Sequence, residues 1–248
     1  MKGTWFVALA LSAGAGLYAN TIGTSPLEFR HTYALHHNGR VMIQNFYGDV
    51  AITAWDRDEV LVEAVKKAAD PRGADDARVV VDASGDLLSI RTQYGAGDAG
   101  HPASVDYRIM VPRSASLADV ELTNGGLSIL GVAGPVRASS INGSIRAQRL
   151  RGQAELSTVN GQLEAGFDRV SGAPITLRSV NGAIRLSIPG DAAASLEAEN
   201  RSGGIESAFG RPLRGPEGHR LRTVLNQGGA PVHLHNVNGG IIICTGQS

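Results

Sequence analysis

The segment SSINGSIRA (139–147) combines a β-branched residue, an Asn-Gly pair and alternating apolar residues, and this combination recurs along the chain. Copies are STVNGQLEA (157–165), RSVNGAIRL (178–186) and HNVNGGIII (235–243), with a looser copy, LTNGGLSI (122–129). The spacings between the asparagines of successive copies are 18, 18, 21 and 57 residues. Ser202-Gly203 falls where a further turn is expected, 21 residues after Asn181. A period near 20 residues indicates a repeat architecture.

Each copy alternates apolar and polar residues on both sides of its Asn-Gly pair. The predicted inward positions before the turn are Ala118, Val120 and Leu122 in the first copy and the equivalent residues in the others. A period of two with one polar face is typical of β-strands. The glycine of each pair supplies the positive φ that a tight turn requires.

One such unit has too little apolar surface to fold alone, so we expect neighbouring units to stack as coils of two short strands. Equivalent strands would pair in parallel, with the asparagines forming a ladder at the bend. A ligand-binding row is the alternative role for these asparagines, but the turn role is favoured because Asn-Gly is a common turn pair. The predicted structural turn residues are Gly48, Asn124, Gly125, Asn142, Gly143, Asn160, Gly161, Asn181, Gly182, Ser202, Gly203, Asn238 and Gly239.

The chain therefore predicts an all-β, single-domain β-solenoid (β-helix) of short two-strand coils with Asn-Gly turns, preceded by an N-terminal antiparallel hairpin region. Residues 1–19 have Lys2, a short apolar run and small residues, as in a secretory signal peptide. A poorly patterned lead-in (20–40), an N-terminal β region (41–117) and the continuous Asn-Gly solenoid (118–248) follow. The apolar run is too short for a bilayer span, and we expect no span after the leader is removed.

The N-terminal β region contains several predicted strands. Residues 41–55 repeat the coil pattern, with Tyr47-Gly48 in place of Asn-Gly, and 59–70 is read as a strand in preference to a short helix. Residues 77–93 predict a hairpin around Ser84-Gly85, and 105–112 predicts a strand that ends at its proline. The stretch 210–220 is predicted to be irregular and exposed.

These features together resemble the bacterial putative-adhesin family, a domain of unknown function built from β-strand repeats. The resemblance rests on GDVAITAWDRDEVLVEAVKKA (48–68), YRIMVPRSASL (107–117) and LNQGGAPVHLHNVNGGIII (225–243), and it covers about residues 30–244. It implies a β-repeat fold and brings no catalytic residues with it.

Composition and short motifs limit which partners, cofactors and metals the sequence predicts. The 23 basic and 23 acidic residues balance, so no nucleic-acid partner is predicted. Gly95–Gly100 matches a dinucleotide-binding string but lacks a following helix, so no cofactor is predicted. His233 and His235 alternate on a polar strand face and are weak candidates for a metal, with no third ligand evident in register. The lone Cys244 has no internal disulfide partner.

An enzyme would need two carboxylates facing one cleft. The candidates on polar faces are Glu121, Glu155, Glu164, Glu197, Glu199 and Glu206. Arginines are interspersed among them, which is typical of a mixed solubilising surface. Exposed aromatic residues are few, which weakens a lectin interpretation without removing it.

The favoured prediction is an exported, non-enzymatic scaffold in the periplasm, on the cell surface or in the medium, binding an unidentified envelope protein or glycan. The alternatives are a carbohydrate-active β-helix enzyme (lyase or glycosidase) and a structural protein that oligomerises end to end.

Overall fold

The computed structural model describes residues 28–68, 77–95, 103–210, 213–215 and 218–246, which form two β-sheets. Sheet A contains, in spatial order, β1 (Glu28–Ala34), β4 (Glu59–Lys67), β7 (Ser104–Pro112), β3 (Val50–Trp55), β9 (Leu127–Leu130), β11 (Ile145–Leu150), β13 (Leu163–Phe167), β15 (Ile184–Ile188), β21 (Ile241–Thr245) and β17 (Ile205–Ser207). Sheet B contains β18 (Leu213–Gly215), β19 (Gly218–Leu225), β16 (Ala194–Ser202), β20 (Ala230–Asn238), β14 (Ile175–Asn181), β12 (Ala154–Asn160), β10 (Val136–Asn142), β8 (Ser116–Asn124), β2 (Arg40–Tyr47), β6 (Leu87–Tyr94) and β5 (Ala77–Ser84).

Each coil, or rung, places its first strand in sheet B and its second in sheet A. Burial alternates along the strands, so every second side chain enters one core shared by the two sheets. Leu156, Leu177, Leu163 and Leu186 illustrate the pattern, since each is fully buried. The predicted all-β solenoid is confirmed.

The rungs stack in parallel register. Asn142 pairs with Asn124 on one side and with Asn160 on the other, and Asn160 pairs with Asn181. The predicted inward positions are buried, with one exception. Ala118 is half-exposed and Leu117 is buried instead, because the register between β8 and β10 shifts there as in a β-bulge.

The rung formed by β20 and β21 follows the other rungs in the sequence but does not lie at the end of the stack. β20 and β21 lie between β14–β15 and β16–β17, so Asn181 is followed in space by Asn238 and only then by Ser202. The sequence order predicts that the Ser202-Gly203 turn stacks directly on the turn at Asn181, and this prediction is wrong. β20 fits this place because it pairs in parallel with strands on both sides, while antiparallel β19 occupies the other edge of β16.

At the opposite end of the stack, a rung is likewise inserted between two others that are not its neighbours in sequence order. β2 and β3 lie between β6–β7 and β8–β9, although β6 and β7 come later in the chain. Antiparallel strands then border the parallel stack: β5 beside β6 in sheet B, and β4 and β1 beside β7 in sheet A. The predicted hairpin at Ser84-Gly85 and the strand over 59–67 are both present.

Two other predictions need correction. No strand is predicted in the poorly patterned lead-in (20–40), but Glu28–Ala34 forms β1, which pairs antiparallel with β4. The stretch 210–220 is predicted to be irregular, but it contains β18 and the start of β19; these two strands pair with each other, and β19 also pairs with β16. The predicted signal peptide and residues 96–100 of the glycine-rich string lie outside the described residues.

A buried polar network joins the two sheets at the N-terminal end. The Tyr107 hydroxyl lies 2.7 Å from Thr92 Oγ1, which donates to Asn45 Oδ1 at 2.9 Å. All three residues are at most 2 % exposed. Burial raises the pKa of Tyr107 from 10.0 to about 12, because the phenolate would lose hydration.

We expect this pKa difference to lower stability in alkali. In the unfolded chain Tyr107 loses its proton near pH 10, whereas the folded chain keeps it to about 12, so its contribution is complete below pH 10 and is lost as the pH rises to 12. The difference corresponds to at most roughly 3 kcal/mol. Urea denaturation at several alkaline pH values should give a shallower decline for Tyr107→Phe than for the wild type or for the exposed Tyr47→Phe. Equal declines would contradict the assignment.

Candidate binding surface at the turn edge

The turns of successive rungs stack so closely that the glycines have no room for a side chain. A Cβ on Gly143 would lie 1.8 Å from the carbonyl oxygen of Gly125, and a Cβ on Gly239 would lie 2.3 Å from that of Gly182. Gly239 also has a φ of 131°, in the region that favours glycine. The turns join strands of different sheets, so they are corners of the solenoid and not hairpin turns.

The asparagines before these glycines form a continuous ladder. Four of them donate Nδ2 to Oδ1 of the neighbour in the stack at 2.9–3.0 Å, in the spatial order Asn124, Asn142, Asn160, Asn181 and Asn238. Asn124 itself donates to the carbonyl oxygen of Phe46 at 3.3 Å. The ladder expected from the sequence is therefore present, and it fixes the orientation of every amide group in it.

A column of buried polar side chains lies inside the corners, each two residues before the corner residue of its rung, and Leu122 interrupts it. Its members are Asn45, Ser140, Thr158, Ser179, Asn236 and Asn200. Thr158 Oγ1 donates to the carbonyl oxygen of Gly143 at 2.9 Å, and Asn236 Nδ2 donates to that of Gly182 at 2.9 Å. Asn200 Nδ2 donates to the carbonyl oxygen of Gly239 at 2.7 Å. These bonds satisfy turn carbonyls that face the core, so the corner is held from both sides.

The four residues at each corner carry no ionisable side chain over five consecutive rungs. We call this surface the turn strip; it consists of Thr123–Gly126, Ile141–Ser144, Val159–Gln162, Val180–Ala183 and Val237–Gly240. The equivalent residues of the next rungs contain a charge at each end, Asp49 on one side and Arg201 on the other. The strip is thus an uncharged surface in a chain with 46 charged side chains (23 basic and 23 acidic).

An apolar ridge runs along the turn strip beside the asparagine ladder. Its members Ile141, Val159 and Val180 are 48 %, 39 % and 39 % exposed, and half-buried Val237 continues it on the next rung. Single exposed apolar residues are ordinary, but a contiguous row suggests an interaction surface.

An aromatic cluster lies in line with the ridge, separated from Ile141 by the rung that contains Thr123. Phe46 and Tyr47 are 41 % and 38 % exposed, and their rings lie 6.2 and 5.7 Å from the Tyr94 ring in edge-on contacts. The sequence pattern did not predict this cluster, because Tyr94 is far from the other two in the chain and reaches them only through the pairing of β6 with β2.

The glutamates proposed for catalysis mostly form ion pairs with arginines. Glu155 lies 3.3 Å from both Arg137 and Arg178 on sheet B, whereas Glu164 contacts Arg146 at 3.1 Å on the opposite face of the molecule. Glu199 and Glu197 contact Arg220 and Arg222, respectively, and Glu121 accepts from Gln44. Glu206 is exposed on edge strand β17.

The environment of Glu197 is unsuited to a general acid. The hydrogen bond from Arg222 lowers the pKa of Glu197, whereas a carboxylic acid that donates a proton needs a raised pKa. The contacts therefore favour a surface ion-pair role for this carboxylate.

His233 and His235 are exposed on β20, side by side on the outer face of sheet B. Glu197 and Glu199 lie opposite them on β16, with Nδ1–Oε2 distances of 3.7 and 4.0 Å. Sequence spacing did not place these groups together, because it did not show that β16 and β20 are neighbours. Among the described residues, no group of three or more His, Cys, Asp or Glu side chains is arranged to hold a metal ion.

A groove of about 720 Å³ lies on the outer face of sheet A near β1, β4 and β7. Its charged lining residues are Arg30, Lys67, Arg108, Asp49, Glu63 and Asp106. Arg30 Nε lies 3.2 Å from Glu63, Lys67 pairs with Asp106, and Asp49 Oδ1 accepts from the Gly126 amide at 2.7 Å. The groove is electrically balanced and its carboxylates are engaged with protein partners, which favours a structural role for them.

Cys244 is half-buried, and its Sγ lies 3.5 Å from the carbonyl oxygen of Leu186. No helix in the described part of the chain is long and apolar enough to cross a membrane.

Two facing sheets of stacked two-strand rungs define a β-solenoid. The sequence matches the Toastrack DUF4097 family over residues 39–243, and the chain belongs to that family. This confirms the resemblance drawn from the repeats. A comparison with curated proteins finds no match.

Several solved structures are similar to this chain at low identity. A putative cell adhesion protein from Clostridium sporogenes is 10 % identical, with a TM-score of 0.50 over 89 % of this chain and 100 % of that one. A putative adhesin from Bacteroides fragilis is 11 % identical, with a TM-score of 0.39 over 88 % and 97 %. A putative lipid binding protein from Parabacteroides distasonis is 8 % identical, with a TM-score of 0.31 over 89 % and 97 %.

Proposed function

We propose that the chain is an exported, non-enzymatic binding scaffold of the bacterial envelope, similar in role to an adhesin. The observation that carries this proposal is the turn strip, where apolar side chains stay exposed at one register position through several rungs. Family membership supports the proposal, as does the description of the Clostridium sporogenes protein as a cell adhesion protein. The predicted signal peptide supports export.

Rigidity makes the strip suitable for binding. The asparagine ladder outside and the buried polar column inside fix the corner residues, so little conformational entropy is lost when a partner binds. The bare turns also leave the strip open along its length, which suits an extended partner.

The binding test uses the chain without residues 1–19, immobilised on beads and exposed to purified matrix proteins, peptidoglycan and polysaccharides. We expect retention of at least one of these, and loss of that retention in Val159→Lys. The matched control is Val224→Lys, because Val224 is 65 % exposed on β19, away from the strip. If nothing is retained above an albumin control, the adhesin-like proposal is wrong.

Two further measurements test the other parts of the proposal. Cell fractionation of the full chain should find it outside the cytoplasm, and Leu9→Arg should retain it inside. A release assay on the same glycans should show no turnover; turnover abolished by a single carboxylate substitution would instead favour an enzyme.

A further inference from the structure

We infer that the turn strip binds a linear, uncharged polysaccharide whose chain runs along the solenoid axis, across the rungs. This inference rests on the proposed binding function and adds the class of ligand and its direction. It is carried by the unused hydrogen-bonding capacity of the asparagine ladder, the apolar ridge beside it and the absence of charge on the strip.

The ladder leaves polar groups available for a ligand. A side-chain amide has two N–H donors and an oxygen with two acceptor sites. Asn142, Asn160 and Asn181 each use one donor and one acceptor within the ladder, so each keeps one donor and one acceptor site at the exposed turn edge. Their fixed orientation gives a repeated donor–acceptor pair that matches the hydroxyl groups of successive sugars.

The apolar ridge supplies the second half of a sugar site. A pyranose ring has an apolar face of C–H groups beside its hydroxyls, and Ile141, Val159 and Val180 offer an exposed apolar surface next to the amides. Beyond the rung of Thr123, Phe46 and Tyr47 provide aromatic rings that suit the same kind of face.

Charge favours a neutral ligand over a charged one. The strip has no ionisable group over its five rungs, and beside it Ser139 and Ser157 are also uncharged. Arg178, the nearest cation on that side, points to Glu155 at 3.3 Å. On the sheet A side Arg146 and Arg185 lie on either side of Glu164, which Arg146 contacts at 3.1 Å. Neither side of the strip is therefore the continuous basic surface that an anionic polymer or an anionic membrane would need.

The shape of the ridge argues against a second copy of the chain as the main partner. The ridge is one side chain wide, whereas a stable protein interface involves roughly 20–30 residues on each side. A narrow, extended polymer uses the ridge and the ladder together without needing such an area.

The rung spacing predicts the size of the site. Strands in a sheet lie about 4.8 Å apart, so the five rungs of the strip span about 19 Å from the first to the last. One sugar of an extended chain has a length comparable to one rung. Affinity should therefore rise with oligosaccharide length and level off at about five sugars.

The experiment is calorimetric titration of the chain lacking residues 1–19 with cello-, xylo- and β-1,3-gluco-oligosaccharides of increasing length. In parallel, NMR follows the side-chain amide signals of Asn142, Asn160 and Asn181. We expect binding by at least one series, a plateau near five units and shifts of the ladder amides. Val159→Lys and Asn160→Asp should each weaken binding about tenfold or more, and Val224→Lys should leave it unchanged. Thermal denaturation confirms that each variant is folded.

Several results would overturn the inference. One is binding that prefers polygalacturonate and falls steeply with salt; another is binding that Arg108→Ser in the sheet A groove abolishes while Val159→Lys does not. Ridge-dependent sedimentation with neutral or anionic vesicles would assign the strip to lipid, and a dimer broken by Val159→Lys would assign it to a second copy. If only a protein from the bead panel binds through the strip, the adhesin-like function stands and the glycan inference falls.

Discussion

Gly239→Ala should destabilise the fold by roughly 3 kcal/mol or more. The new Cβ would lie 2.3 Å from the backbone oxygen of Gly182, and the residue would keep a φ of 131° that alanine rarely adopts. The Gly182 oxygen is a backbone atom and not the end of a flexible side chain, so the backbone of the rung must move to relieve the clash. Urea denaturation followed by circular dichroism should show a lower midpoint.

The matched control lies in the same turn. A Cβ on Gly240 meets nothing within 4 Å, and Gly240 has no positive φ, so Gly240→Ala should change stability by about 0.5 kcal/mol or less. Because rungs are stabilised mainly by their neighbours, Gly239→Ala should also split the transition into two, with the rungs on either side of the corner unfolding separately. Equal stability of the two variants would show that the corner does not need glycine.

Asn45→Leu should cost about 2–4 kcal/mol, although leucine has a similar size and Leu122 occupies the equivalent position on the next rung. Asn45 is 1 % exposed, and its Nδ2 contacts the carbonyl oxygens of Tyr47, Gly48 and Val105 at 2.9–3.2 Å. Its Oδ1 accepts from Thr92. The substitution removes these partners from buried groups, and each one left unpaired costs free energy.

Two other residues of the buried column test whether the loss of stability follows the number of hydrogen bonds removed. Thr158→Val removes one hydrogen bond, to Gly143, and should cost about 1 kcal/mol. Ser179→Ala removes a buried hydroxyl that has no hydrogen-bond partner among the described residues, so stability should hardly change. A cost for Ser179→Ala equal to that for Asn45→Leu would mean that packing, and not hydrogen bonding, decides the effect.

The sequence predicted the rungs well because their information is local. Around Asn142 and Asn160, alternation fixes which side chains enter the core, and the glycine fixes the corner. The asparagine ladder followed from parallel stacking, which itself follows from near-equal spacing. The exposure of Ile141 and Val159 could also have been predicted, because the same alternation places them outside.

The pairing of strands that are distant in the sequence could not be predicted from the local alternation of residues. Nothing near Ala230 indicates that β20 pairs with both β14 and β16, so the approach of His233 to Glu197 could not be foreseen. β1 has too little alternation to be recognised without β4, and the bulge at Ala118 appears only when β8 meets its neighbours. The groove on sheet A likewise depends on strands that are distant in the chain.

The placement of β20–β21 inside the stack has a consequence for biosynthesis. This rung is synthesised after β16–β17, yet β16–β17 has no parallel partner until it arrives. A nascent chain that stops before Ala230 therefore lacks a middle layer, with exposed strand edges on both sides of the gap. Removal of β20–β21 should therefore be far more damaging than the loss of a terminal repeat from an ordinary repeat protein.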